Sequence, residues 1–129
     1  MATINAKLTI TSSDATTDTL SLTVSKGLTV GPPAIGISKV AINVAGGTDT
    51  ALVPSSAGNK YVYVKHTTFQ ADGTTASNNE IVVDIGATDV IRINSGEWAF
   101  FPAKASTAIT AVSNHTSTIL VEYAYWTAA

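Results

Sequence analysis

Alternation with a period of two runs through nearly the whole chain, and no other feature constrains the fold as strongly. Ala6, Leu8 and Ile10 alternate with Lys7, Thr9 and Thr11, and Leu20, Leu22 and Val24 alternate with Ser21, Thr23 and Ser25. Successive side chains of a strand point to opposite faces, so this pattern predicts strands with one apolar and one hydroxyl-bearing face. A helix needs apolar residues recurring at i, i+3, i+4 and i+7, and no stretch of useful length has them. Thr, Val, Ile and Gly recur throughout, and these residues are poor helix formers.

The punctuation divides the pattern. The polar run from Ser12 to Asp18 turns the first pair of strands into a half-buried hairpin, which Lys26-Gly27 is expected to close. Gly31-Pro32-Pro33 follows; two prolines fix φ and remove two donors, so a rigid bend is expected there rather than a central strand. Ile35 and Ile37 then share one phase, while Val40, Ile42 and Val44 share the other. The slip at Ser38-Lys39 predicts a bulge or a crossing between sheets. Further strands are predicted over 50–53, 60–67, 81–85, 90–93, 98–101, 108–112 and 118–126. That makes about nine or ten short strands at the turn spacing of sandwiches and barrels. No linker is long and helical enough for a crossover, so pairing is antiparallel. The expected fold is all-β: one antiparallel, jelly-roll-like β-sandwich domain over 1–129, with 1–33 as an N-terminal hairpin or arm and 34–129 as the core. At 129 residues the chain can bury one core without staples.

Few kinds of chemistry fit these residues. Cysteine is absent, which removes disulfides, thiol catalysis and cysteine-ligated metals. The only imidazoles are His66, expected at a strand end near the surface, and His115, in the polar run 113–116; no G-x-S-x-G elbow accompanies them. The stretch from Gly96 to Pro102 has the turn-strand-proline rhythm of cupins but no H-x-H pair anywhere near it, so it supports a jelly roll without a metal centre. Asp84, Asp89, Glu97 and Glu122 are the acids near strands that paired-carboxylate hydrolysis would draw on; a solvent or interface face accounts for Glu122 better. Phosphate-binding glycine loops are absent. The expectation is no enzyme, no catalytic residue, no cofactor and no metal.

Charged residues make up 12% of the chain, about half the ~25% of ordinary soluble domains. The net charge is −2 and the seven Lys and Arg are scattered singly, which argues against nucleic acid as a partner. No polybasic or long apolar segment points to a membrane, and the N-terminus lacks the features of a secretory signal, so cytoplasmic synthesis is expected. A polar but nearly uncharged surface suits a protein packed against others.

The aromatic residues carry that idea further. Alternation sends Trp98 and Phe100 one way and Phe101 the other, and sets Tyr123 and Tyr125 against Trp126. Only one set can belong to a two-layer core. The candidate interface residues are Ile4, Leu8, Pro32, Pro33, Phe69, Trp98, Phe101, Tyr125 and Trp126. A protein–protein contact is favoured, since Tyr and Trp carry much interface energy; a glycan platform is the alternative.

Three segments, residues 60–67, 91–102 and 119–126, combine a tyrosine-valine strand, a Gly-Glu-aromatic-Phe-Pro turn and a C-terminal Leu-x-Glu-Tyr strand. In this the chain resembles small virion proteins of tailed phages, over residues 59–126. The resemblance implies a β-sandwich subunit that assembles with itself, a trimer being the first guess, on a major capsid protein. A capsid decoration (cement) protein located in the virion is the expected role, with a neck, tail or fibre component as the alternative and a glycan-binding module as a further one.

Overall fold

The computed structural model describes residues 2–31 and 36–129. Pro32 and Pro33, and with them the expected bend, lie outside the described residues. Ten strands follow in chain order: β1 (Ala2–Ser12), β2 (Leu20–Val30), β3 (Ser38–Ile42), β4 (Thr50–Val53), β5 (Lys60–His66), β6 (Ile81–Ile85), β7 (Thr88–Ile93), β8 (Trp98–Ala103), β9 (Ile109–Ser113) and β10 (Ile119–Thr127). No helix occurs among the described residues, and all pairing between strands is antiparallel.

β3 to β10 form two four-stranded sheets, ordered β3-β10-β5-β8 and β4-β9-β6-β7. Their pairing is nested: β6 with β7, β5 with β8, β4 with β9 and β3 with β10. This is one long antiparallel hairpin rolled up, so that β10 also meets β5 and β9 also meets β6. The result is the double-sheet jelly roll that the strand spacing predicted. Rolling places the inward phase of every strand between the sheets. Ile42, Val62, Val64, Ile81, Val83, Ile109, Ile119 and Val121 are fully buried there. Each such side chain contributes roughly 1.5–3 kcal/mol by leaving water.

Two irregularities adjust the pattern. In β4 the register shifts between Ala51 and Val53, so Leu52 and Val53 are both buried despite being adjacent. In β7 a shift leaves Val90 as the extra residue opposite β6, and it is 57% exposed. A bulge or a crossing between sheets is expected at Ser38-Lys39 instead; Ile35, which carries part of that expectation, lies outside the described residues. The structure corrects this: β3 begins at Ser38 with Val40 and Ile42 inward, and Ile37 precedes the strand, exposed.

The first two strands stand apart. β1 and β2 pair only with each other, in unbroken register from Ala2 opposite Val30 to Ser12 opposite Leu20. Lys26-Gly27 does not close this hairpin; β2 runs through it, with Gly27 opposite Asn5. The ribbon is tied to the sandwich at its root. Val30 is buried and bridges Ala128, the Gly31 N–H donates to the Thr127 carbonyl at 2.8 Å, and the Ala129 N–H donates to the Thr29 carbonyl at 3.1 Å. The expectation of half-buried strands fails toward the tip. Leu8, Ile10, Leu22 and Val24 are 38, 43, 40 and 52% exposed, because no sheet lies over that end of the apolar stripe.

Candidate functional site

The outer face of the sheet β3-β10-β5-β8 is built of cross-strand rows. Trp126 stands opposite Tyr61, which stands opposite Pro102; Ala124, Tyr63 and Phe100 form the next row; Glu122, Lys65 and Trp98 form the third. The period of two that buries Val62 and Val64 turns Tyr61 and Tyr63 outward, and the same phase in β8 turns Trp98 and Phe100 outward. The Tyr61 and Phe100 rings stack on the diagonal, centroids 6.4 Å apart and planes 9° apart. Trp98 remains 55% exposed.

The ribbon faces this surface across a groove of about 940 Å3. One wall consists of Tyr61, Trp98, Phe100, Pro102 and Trp126. The other is the root half of the ribbon, with Ile4, Ala6, Leu8, Val24 and Leu28 from its apolar stripe. Asn5, Lys7, Ser25 and Lys26 supply the polar groups of that wall. Four interface candidates therefore come together here: Ile4, Leu8, Trp98 and Trp126. Phe69 does not join them. It is exposed at a separate depression of about 300 Å3 beside Lys39, Lys65, Leu120 and Glu122. Phe101 and Tyr125 need correction: both take the inward phase of their strands and pack, partly buried, against the core.

Three ionisable groups have structural partners. The Tyr63 hydroxyl donates to Glu122 Oε1 at 2.8 Å. Burial, then that bond and the nearby negative charge, push the Tyr63 phenol up to about 12. Lys60 is buried, and its Nζ donates to the carbonyls of Ser56, Ala57 and Gly58 at 3.4, 2.9 and 2.7 Å, closing the turn that leads into β5. His66 is not near the surface as expected but fully buried. Its Nδ1 accepts the Thr68 N–H at 2.9 Å, so Nε2 carries the proton and donates to the Asn79 carbonyl at 2.7 Å. With both nitrogens held by backbone, it has neither a free lone pair nor access to a substrate. His115 is exposed in the loop after β9.

On the outer face of the other sheet, Asp84 of β6 stands opposite Asp89 of β7. Asp84 is 7% exposed, and its Oδ1 has no hydrogen-bond partner. Burial first, then the carboxyls of Asp49 and Asp89, push it up to about 7. Asp84 and Asp89 are among the acids that the sequence sets near strands; Asp49 lies in the loop before β4, where alternation gives no signal. These carboxyls line neither the groove nor the smaller depression beside Phe69. Among the described residues no group of three His, Cys, Asp or Glu is arranged to hold a metal ion. The groove between ribbon and sheet offers apolar surface for burial. No family model, no curated protein and no solved structure matches the chain.

Proposed function

We propose that this chain is a bacteriophage virion structural protein, a capsid decoration subunit that holds neighbouring shell proteins together through multimeric contacts. The observation that carries this reading is the apolar ribbon standing off the sandwich, with Ile10, Leu22 and Val24 in solvent and an aromatic sheet face across the groove. A two-stranded ribbon is marginal in water by itself, and apolar patches of this kind mark interaction sites. A side chain set with few charges and two half-open apolar walls favours attachment over turnover. The resemblance of residues 59–126 to small virion proteins supplies the setting.

The test is copy number. Quantitative mass spectrometry of purified particles should find the chain at tens to hundreds of copies each, released with the head fraction. A handful of copies in the tail fraction would move it to the neck or tail, and absence from particles would overturn the reading.

A further inference from the structure

We infer that the groove between ribbon and sheet is the seat of a second copy of this chain, whose ribbon tip inserts between the two walls. This rests on the assembly reading above and names the contact through which assembly occurs. Among the described residues the groove contains no carboxylate and only one carboxamide, Asn5, so they lack the dense polar set that orients a sugar ring. It calls for an apolar insert. The chain carries such an object: the ribbon tip, where Ile10 and Leu22 stand opposite each other beyond the groove at 43 and 40% exposed. The tip's apolar face suits the wall of Trp98, Phe100 and Pro102, and the methyls of Thr9, Thr11 and Thr23 on its other face lie toward the ribbon wall of Ile4, Leu8, Val24 and Leu28.

Area decides how the copies must be arranged. About four residues of each strand, 9–12 and 20–23, at ~3.4 Å, by two strands at ~4.8 Å, give an inserted tip faces of roughly 130 Å2 each. With the walls they cover, one insertion buries roughly 500 Å2, the size of a chance contact, whereas two reach roughly 1,000 Å2, the least that a specific interface needs. Insertion must therefore be mutual, with every ribbon used, as in a two-fold pair or a closed ring.

The chain has no cysteine, which permits a direct test. Leu22→Cys and Trp98→Cys are made separately in the full-length protein, mixed and oxidised. The expected product is a disulfide-linked heterodimer of the two variants, formed in preference to either homodimer. Wild-type protein should sediment as a dimer or closed ring at micromolar concentration, and Ile10→Glu should weaken association by at least about 30-fold with an unchanged circular dichroism spectrum. A wild-type monomer with no heterodimer overturns the inference, as does glycan binding to the monomer that Trp98→Ala abolishes. These readouts use isolated protein. Multimers without virion incorporation would count against the virion reading alone, and incorporation of a monomer against this inference alone.

Discussion

Asp84 is a residue whose position costs the fold free energy, by an amount that depends on pH. Its carboxyl is buried beside Asp49 and Asp89, and its folded pKa is raised from 3.8 to about 7. Between those two values the folded chain keeps a proton that the unfolded chain has released. Stability linked to this group is thus fully present below about pH 4 and is lost as pH rises through 7. Asp84→Asn holds the neutral shape at every pH and gives Asp49 and Asp89 a donor. Urea titrations should find the variant more stable than wild type at pH 8, by on the order of 1 kcal/mol once screening by the neighbouring solvent is allowed for. The advantage should vanish at pH 4. Equal stabilities at both values would show that Asp84 is ionised and accommodated. The identity of the residue is plain in the sequence, but its environment is not: Asp89 faces it only because Val90 is the extra residue of a bulge, and Asp49 reaches it only through the pairing of β4 with β9.

At the scale of elements, the ribbon and the sandwich are separable on physical grounds. β1 and β2 contribute Val30 to the buried set and little else, since every other apolar side chain of the ribbon is half-buried or exposed. Removing residues 2–28 spares Val30, the Gly31 to Thr127 bond and the Ala129 to Thr29 bond. The truncated chain should still melt cooperatively, within a few degrees of the full chain compared as monomers, and should lose self-association. Loss of the folded signal would show that the ribbon completes the core. Alternation made both strands of this ribbon legible, because Leu8, Ile10, Leu22 and Val24 keep strict phase. It could not say what covers the apolar face, which depends on where the chain goes after the ribbon. Likewise the phase of Val62, Val64 and His66 already pointed His66 inward, and its polarity argued the other way. The backbone groups of Thr68 and Asn79 settle it by satisfying both nitrogens. The inward turn of Phe101 and Tyr125 was written in their phase too; what was missing was which phase faces the other sheet.

The whole molecule is a nested set of strand pairs closed by β3 and β10, the two ends of the rolled hairpin. Within the sandwich no pair beyond β6-β7 is local, so its two sheets form together or not at all, and the interior strands share one stability. β5, β6, β9 and β10 each have neighbours on both sides, whereas β3, β4, β7 and β8 lie at edges and the ribbon has two open edges. Amides of the four interior strands should therefore exchange with solvent only by global unfolding, and those of β1 and β2 by local fraying. In dilute protein the ribbon amides should be less protected than those of β5 and β10 by at least about a hundredfold, a difference near 2.7 kcal/mol. Raising the concentration should slow exchange at Ile10 and Leu22 while leaving Val62, Val64 and Val121 unchanged, because a second copy covers the tip and not the core. Uniform slow exchange at all concentrations would mean instead that the ribbon is held as firmly as the sandwich within a single chain.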